Sequence, residues 1–346
     1  MPFDPYESLP HTVGKPFDPY ESVPHTVGKP FDPSKTVAHT VGEPFDPSET
    51  VAHTVGEPFD PSKTVAHTVG EQITMEFHYI CARKNISMNK LELLKQKIAS
   101  YERLAVAYSG GVDSTFLLKV VQDVLGDKVM AFLIDSPVLA RRDEKEAVAW
   151  LGQIGMKYEI IEGNPFGVEE FVENTQLRCY FCKRTYFTDI VNNARSLGFD
   201  HVADGQNADD ALATDRPGAR AAHELGVVSP LNDCGLTKED IRHFSRQLGL
   251  PVWDKPSNAC LATRIPFHTR ITAERLHRVE AAEEVLRSRR LEGCRVRCHD
   301  ELARIEAPQA YFDVIRGDEQ IVGELKALGF KYITLDLEGF RSGSMN

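Results

Sequence analysis

The sequence predicts an α/β fold, in which a doubly wound, mainly parallel sheet is followed by a smaller C-terminal α+β domain. A first apolar strand leads into a Gly-rich turn and an amphipathic helix in "RLAVAYSGGVDSTFLLKVVQDVL". Two further strands end in polar loops, in "KVMAFLIDSP" and "FDHVADGQNADD". Near the end of the chain, "CRVRCH", "LARIEA" and "KYITLDL" predict three strands, with a helix near residues 318–328 before the last.

Length and composition indicate whether the chain associates with a membrane and in which redox compartment it works. The 346 residues contain no apolar run long enough to cross a bilayer and no basic start followed by an apolar core. We therefore expect no membrane partner. Seven cysteines in a chain without a secretory signal predict a cytoplasmic protein with reduced thiols, whose cysteine clusters serve metal binding or catalysis.

The net charge of −11 is unevenly distributed along the chain. Residues 1–71 contain eleven Asp/Glu and four Lys, which leaves the remaining chain with a net charge of only −4. A nearly neutral body does not favour a broad nucleic-acid surface, because phosphate contacts need many unpaired Lys and Arg side chains. We expect no nucleic-acid partner, although a local arginine pocket remains compatible with this composition.

The front of the chain consists of five 14-residue repeats, beginning with "PFDPYESLPHTVGK" at residue 2. Each repeat is rich in proline and has few large apolar residues, so we expect residues 1–72 to be disordered. One histidine per repeat would not form a pre-organised metal site in a flexible chain. A translated DNA repeat ahead of a natural start at Met75 is an alternative. We expect two domains to follow, over residues 73–256 and residues 257–346.

The Gly-rich turn predicts a phosphate-binding loop. Glycines allow close approach of the backbone to an anion, and the first N–H groups of the following helix point at it. A carboxylate beside phosphate implies an intervening Mg²⁺. Neither the Walker loop nor G-x-G-x-x-G is present. The candidate phosphate-binding residues here are Ser109, Gly110, Gly111, Asp113 and Ser114, with Asp113 also a magnesium ligand.

Two later strand ends supply further candidates at the same edge of the predicted sheet. Asp135 and Ser136 follow the second strand and are expected to border the ligand that binds at this edge. The acidic loop after "FDHVA" offers a tight turn and hard oxygen ligands suited to magnesium pyrophosphate. From it we expect Gly205 and Asn207 to contact the nucleotide and Asp210 to bind Mg²⁺.

The motif "SGGVDS" resembles the loop of the PP-loop ATP pyrophosphatases, which cleave ATP between the α and β phosphates. From about Leu104 to Asn346 the chain resembles one branch of that group, the LarE family of ATP-dependent sulfur transferases. This resemblance rests on "SGGVDS", "DGQNADD", "DRPGARAAHELGVVSPL", "ACLATRIP", "RVRCHDELARIE" and "LDLEGFRSGSMN". It implies insertion of sulfur into a pyridinium dicarboxylate mononucleotide, on the way to the nickel-pincer nucleotide cofactor. The resemblance also implies ATP binding by residues 73–256, with Asp135 and Ser136 bordering the adenine or ribose, and sulfur transfer by residues 257–346.

Within this resemblance, the cysteine of "ACLA", Cys260, is expected to be the catalytic residue that carries the sulfur chemistry. One branch of the family gives up this cysteine's own sulfur. The present chain also has Cys179 and Cys182, and three cysteines can hold three irons of a [4Fe–4S] cluster while the fourth iron lacks a protein thiolate. The resemblance is therefore to the cluster-bearing branch. A structural zinc site and a sacrificial Cys260 remain the alternatives.

An arginine-rich C-terminal region suits a phosphorylated dicarboxylate, because guanidinium groups grip such anions with forked contacts. Strand alternation places Arg295 and Arg297 on one face. The expected substrate residues are Arg295, Arg297, Arg304 and Glu306, and the expected catalytic residues besides Cys260 are Arg264 and Glu283. The two glutamates are candidates for proton handling or for orienting the arginines.

Three rival functions share the phosphate loop. A PP-loop tRNA thiolase also combines it with cysteines, an amidotransferase-type synthetase does not explain Cys260, and a nucleotide-binding iron–sulfur protein would lack turnover. The leading interpretation implies ATP and Mg²⁺, a small nucleotide substrate, and a sulfide donor or desulfurase as a partner. The sequence leaves a homo-oligomer open.

Overall fold

The computed structural model describes residues 90–212, 217–256, 259–341 and 344–345. The expectations for residues 1–72, for the start at Met75 and for the repeat histidines lie outside these ranges. The helices of the described residues include none that is long and apolar enough to span a bilayer.

A four-stranded parallel sheet forms the first half and confirms the predicted α/β class. Its strands are β1 (Leu104–Ala107), β2 (Val129–Asp135), β3 (Tyr158–Glu162) and β4 (Val202–Ala203). They lie in the order β3-β2-β1-β4, and a parallel bridge from Ala203 to Val228 continues the pattern beyond β4. Because all strands run the same way, their carboxyl ends meet at one edge, where ligands of such sheets bind.

Helices cover both faces of this sheet. They are α1 (residues 90–99), α2 (Val112–Leu125), α3 (Arg141–Gln153), α4 (Glu169–Val172), α5 (Arg178–Ser196), α6 (Ala208–Leu212), α7 (Pro217–Glu224), α8 (Pro230–Asp233) and α9 (Lys238–Gln247). Alternation along β1 sends Leu104 and Val106 into the core with α2 and α9, and Ala105 into the core with α5 and α7. This two-sided burial explains why β1 is apolar throughout.

The C-terminal part is a smaller α+β unit with a three-stranded sheet in the order β5-β6-β7. Its elements are α10 (Ala273–Arg287), β5 (Arg295–His299), β6 (Leu302–Glu306), α11 (Phe312–Gly317), α12 (Glu319–Ala327) and β7 (Tyr332–Leu335). Strands β5 and β6 are antiparallel, whereas β6 and β7 are parallel. The three strands and the helix before the last one agree with the sequence expectation.

The core of the C-terminal unit extends into the first half of the chain. Its buried cluster includes Val138 from the loop after β2, and Phe171 and Val172 from α4. Backbone hydrogen bonds follow the same path, since Leu261 N donates to Val138 O at 2.8 Å and Ile271 N to Val172 O at 2.9 Å. These contacts join the segment around residue 260 to the part of the chain that contains the parallel sheet. The predicted boundary near residue 256 stays a prediction.

Candidate active site

The phosphate loop joins β1 to α2 and is shaped by a glycine that no other residue would replace easily. Gly110 has a φ of +70°, which side-chain-bearing residues rarely adopt. A Cβ atom there would also lie 2.8 Å from the Cβ of Ala147 on α3. Gly111 is the N-cap of α2, so the loop delivers the chain directly to a helix N-terminus.

Two serines face each other across this loop. The hydroxyl oxygens of Ser109 and Ser114 lie 3.1 Å apart, and the Ser114 hydroxyl donates to Gly111 O at 3.2 Å. The loop after β4 approaches from the other side, because a Cβ on Gly205 would lie only 2.9 Å from Ser114 N. The absence of a side chain at Gly205 therefore lets the two loops meet at the strand ends.

Carboxylates surround this meeting point. Asp113 Oδ2 accepts a hydrogen bond from Lys238 Nζ at 2.5 Å, while Asp113 Oδ1 is buried without a hydrogen-bond partner among the described residues. Burial raises the pKa of Asp204, whose Oδ1 accepts from the Ser229 hydroxyl at 2.8 Å. Asp210 lines the same cavity as Asp113. An orphaned buried carboxylate oxygen with a second carboxylate nearby fits a divalent cation.

Three predicted nucleotide residues have other contacts in the structure. Asn207 is buried, and its Oδ1 accepts from Asp209 N and Asp210 N at 3.0 and 3.1 Å, as an N-cap of α6 does. Asp135 forms an ion pair with Arg141. Ser136 is buried and shares a hydrogen bond with the Tyr186 hydroxyl. Nucleotide contact by these residues stays a prediction.

One cavity of about 680 Å³ runs from the phosphate loop to the cysteines. Its wall includes Ser109, Gly111, Asp113, Ser114, Gly205 and Asp210 from the two strand-end loops, and Arg178, Cys179, Cys182, Lys183, Tyr186 and Cys260 from α5 and the loop that carries Cys260. Two segments about 80 residues apart in sequence thus contribute their cysteines to the same space as the phosphate loop. Sequence alone left this convergence open.

Neighbouring thiols contribute to the raised pKa values of Cys182 and Cys260. Burial raises the pKa of Cys182 to about 12, with the neighbouring Cys260 as the next cause. Burial also raises the pKa of Cys260, and Cys179 contributes next. In the described part of the chain, no three His, Cys, Asp or Glu side chains form a ready single-ion site. Three cysteines around one cavity fit a [4Fe–4S] cluster in which three irons have a protein thiolate and the fourth has none.

Arg264 and Glu283 form a fully buried pair behind Cys260, with side-chain exposures of 1% and 5%. Arg264 Nε and Nη2 donate to the two Glu283 oxygens at 2.9 and 3.3 Å. Nη1 donates to Ala259 O at 2.7 Å and to Cys260 O at 3.1 Å. Residues 259–263, which carry Cys260 and are called the cysteine loop below, therefore surround the guanidinium. These contacts assign the pair to positioning Cys260, and its predicted catalytic role stays a prediction.

Asn174 connects the segment that contains Cys179 and Cys182 to the chain after Cys260. It is fully buried, and its amide donates to Pro266 O at 2.7 Å and to Thr269 O at 3.0 Å. Its Oδ1 accepts from Arg178 Nη1 at 2.5 Å. One side chain thus links the start of α5, which bears Cys179 and Cys182, to the chain that follows Cys260.

The predicted substrate arginines divide into two environments. Arg297 Nη2 donates to Glu306 Oε2 at 2.6 Å and Arg304 Nη2 to Glu306 Oε1 at 2.8 Å, and Arg297 Nη1 reaches Thr263 O at 3.1 Å. Arg297 and Arg304 therefore share one carboxylate, Glu306, which has no exposed surface, and Arg297 links that carboxylate to the backbone after Cys260. The Arg297–Glu306 pair braces the cysteine loop from the β5-β6 side.

Arg295 lies apart from this group. It lines a separate cavity of about 520 Å³ together with Glu283 and Cys294, and its Nη1 donates to Cys294 O at 2.9 Å. Burial lowers the pKa of its guanidinium, followed by the nearby charge of Arg264. Binding of substrate by Arg295, Arg297, Arg304 and Glu306 stays a prediction.

Sequence reasoning missed several residues that the structure places at the site. They are Asn174, Arg178, Lys183, Tyr186 and Lys238. Arg178 and Lys183 flank the two cysteines in "RCYFCK", which was the available indication. Lys238 had no such indication, because it reaches Asp113 from 125 residues away.

This chain is similar to one family model over part of its length and to several individual proteins. A family model described as NAD synthase matches residues 87–177. Pyridinium-3,5-bisthiocarboxylic acid mononucleotide synthase from Lactiplantibacillus plantarum is 34% identical over 259 residues, covering 74% of this chain and 94% of that protein. An uncharacterized protein of Synechocystis is 41% identical over 75% of this chain and 97% of its own length. A tRNA-cytidine(32) 2-sulfurtransferase of Klebsiella pneumoniae is 28% identical over 46% of this chain and 56% of that enzyme.

Removal of one member of the Arg264–Glu283 pair tests its structural role. We expect Arg264→Met to lower the free energy of unfolding by about 3–5 kcal/mol, because it leaves a buried carboxylate without its partner. The double variant Arg264→Met/Glu283→Leu should recover much of this loss. Urea unfolding followed by circular dichroism measures both.

Arg316 provides the matched control, since its pair with Asp313 is exposed, at 80% and 88%. Arg316→Met should change the unfolding free energy by less than about 0.5 kcal/mol. A cost for Arg264→Met as small as that of Arg316→Met would contradict the assignment.

Proposed function

We propose that this chain, which belongs to the LarE family of ATP-dependent sulfur transferases, converts the carboxylates of pyridinium-3,5-biscarboxylic acid mononucleotide to thiocarboxylates for the nickel-pincer nucleotide cofactor. The observation that carries the proposal is the single cavity shared by the phosphate loop and three cysteines. The synthase from Lactiplantibacillus plantarum, named for the bisthiocarboxylate product, supports the choice of substrate. Reduced thiols at the site suit a cytoplasmic setting.

The phosphate loop supports activation of a carboxylate by ATP. A substrate carboxylate oxygen attacks the α-phosphorus, and the bond to pyrophosphate breaks as the new P–O bond forms. The N–H groups at the start of α2, with the hydroxyls of Ser109 and Ser114, stabilise charge on the departing pyrophosphate. Asp113 and Asp210 would hold Mg²⁺, which when bound neutralises phosphate charge.

The cysteines support the second half-reaction. A sulfur nucleophile attacks the acyl carbon of the adenylate, a C–S bond forms, and the C–O bond to AMP breaks. Cys179, Cys182 and Cys260 would hold three irons of a [4Fe–4S] cluster. When bound, the cluster supplies an iron without a cysteine ligand as a Lewis-acid site for external sulfide. A sulfide donor or desulfurase would then replenish sulfur, and Cys260 would survive each turnover.

The arginine-rich strands support recognition of the nucleotide substrate. Arg297 and Arg304 are held by Glu306 next to the loop that carries Cys260, so a phosphate or second carboxylate arriving there meets oriented guanidinium groups. Arg295 would contribute from the neighbouring cavity. The forked geometry of arginine suits both the phosphate and the carboxylates of the proposed substrate.

A tRNA thiolase is the second candidate, favoured by the similarity to a tRNA-cytidine(32) 2-sulfurtransferase over 46% of this chain. The near-neutral charge after the repeats opposes it, because tRNA binding calls for a basic surface. A gel shift with bulk tRNA separates the two candidates, and we expect no complex at physiological salt.

Cys260 is required for transfer under this proposal. The full chain, purified without oxygen and given ATP, Mg²⁺, sulfide and the dicarboxylate mononucleotide, should form AMP and a product in which oxygen is replaced by sulfur. Cys260→Ala should abolish the sulfur-containing product, as followed by mass spectrometry, while ATP still binds.

Cys234→Ala is the control for loss of a cysteine, since Cys234 is buried in the core beside α8 and α9, away from the cavity. It should leave product formation essentially intact. Sulfur-containing product from Cys260→Ala at the rate of the parent chain would rule the mechanism out.

Metal analysis distinguishes the cluster from its alternatives. We expect iron with a matching amount of acid-labile sulfide in the anaerobically purified chain, and loss of both in Cys179→Ala. Cys234→Ala should retain them. Stoichiometric zinc would instead indicate a structural site, and the absence of metal with dehydroalanine at position 260 after turnover would indicate a sacrificial cysteine.

A further inference from the structure

Three arginines of the described chain are almost completely buried: Arg264, Arg297 and Arg178, with exposures of 1%, 5% and 6%. Burial of a charge is costly unless an opposite charge compensates it. Arg264 has Glu283 and Arg297 has Glu306. Within the described ranges Arg178 has no carboxylate partner.

The contacts of Arg178 are neutral. Its Nη1 donates to the amide oxygen of Asn174 at 2.5 Å, and its guanidinium lies 4.4 Å from the centre of the Phe267 ring. Its Nε is buried and has no hydrogen-bond partner among the described residues. Ring and amide contacts hold the guanidinium in place but leave its positive charge uncompensated. A buried, fixed and unneutralised cation is the arrangement expected where an anion binds.

The location of Arg178 beside the cysteines favours a sulfur anion over a phosphate as its ligand. It lines the same cavity as Cys179 and Cys260 and directly precedes Cys179 on α5, whereas the phosphate loop is formed by the chain between β1 and α2. Arg178 is also the first residue of the 19-residue helix α5, whose N-terminus adds partial positive charge at the same place. The ATP phosphates already have the N-terminus of α2. Sulfur is the atom that the chemistry requires beside the cysteines, and its reactive form is an anion.

We propose that Arg178 forms a subsite for the anionic sulfur nucleophile, a hydrosulfide ion held beside Cys260. This inference rests on the proposed sulfur-transfer function. The acyl-adenylate carries negative charge on its phosphate and on the substrate's other groups, so an anionic sulfur approaching it is repelled. A fixed cation in the cavity lowers that repulsion and keeps the sulfur anion where the acyl carbon arrives.

Paired alkylating reagents test the subsite without requiring turnover. Iodoacetate is an anion and iodoacetamide is neutral, yet both react with the same thiolate. The ratio of their rates at one cysteine therefore reports local charge and is independent of the thiol pKa. The full chain, stripped of metal by an anaerobic chelator, is treated with each reagent, and the labelling of Cys260 and Cys179 is followed by peptide mass spectrometry.

We expect Arg178→Gln to lower the iodoacetate-to-iodoacetamide ratio at Cys260 by about fivefold, as expected for loss of one nearby charge in a partly solvated cavity. Arg178→Lys should keep most of the parent ratio, because it keeps the charge. Arg184→Gln is the matched control, since Arg184 is exposed on the same helix and lines neither cavity. It should leave the ratio unchanged.

The outcomes separate a charge effect from unfolding. Loss of structure would accelerate both reagents at Cys260, whereas loss of the subsite slows iodoacetate selectively. An unchanged ratio in Arg178→Gln overturns the subsite, and so does an equal fall in Arg178→Lys and Arg178→Gln. Absence of any sulfur-containing product from the parent chain, with the ratio still dependent on Arg178, would overturn the proposed function and leave the anion subsite standing.

Discussion

The site depends on a buried hydrogen-bond network that holds the loop carrying Cys260 against the start of α5, which carries Cys179 and Cys182. Arg264 is surrounded by the carbonyls of the cysteine loop and by Glu283 of α10, and Asn174 binds the chain just after that loop while accepting from the first residue of α5. Each of these polar groups is removed from water, so breaking one contact leaves its partner unsatisfied. The cost of leaving these groups without a hydrogen-bond partner favours the one arrangement of the cysteine loop in which Cys260 lines the cavity.

The phosphate loop depends on a different constraint, the close approach of backbone to backbone. Gly110 permits a left-handed turn against α3, and Gly205 permits the loop after β4 to touch the first turn of α2. Parallel strands bring both loops to one sheet edge. The phosphate loop and the thiols then line one cavity, so that a group bound at the loop is held near the thiols.

Sequence pattern predicted the local parts well, and the structure explains why it went no further. The phosphate loop, the acidic loop and the β5-β6 strands have periodicity and turn chemistry that act over a few residues. Arg264 and Glu283 were identified as important, but their exposures of 1% and 5% could not be inferred from spacing. The contacts of Asn174 with residues more than 90 positions away, and of Lys238 with Asp113, depend on tertiary packing that no local pattern records. Asn207 was predicted to contact nucleotide, and its capping contacts within α6 became visible only with the helix in place.

The central claim is that Cys260 shares one cavity with the α5 cysteines, and a thiol-bridging reagent tests it most directly. Dibromobimane becomes fluorescent when it joins two thiols that lie close together. Treatment of the metal-free full chain, followed by peptide mass spectrometry, should yield a fluorescent peptide that links the Cys260 segment to the segment containing Cys179 and Cys182. Bridging that occurs only between Cys179 and Cys182, with Cys260 labelled singly or not at all, would contradict the account.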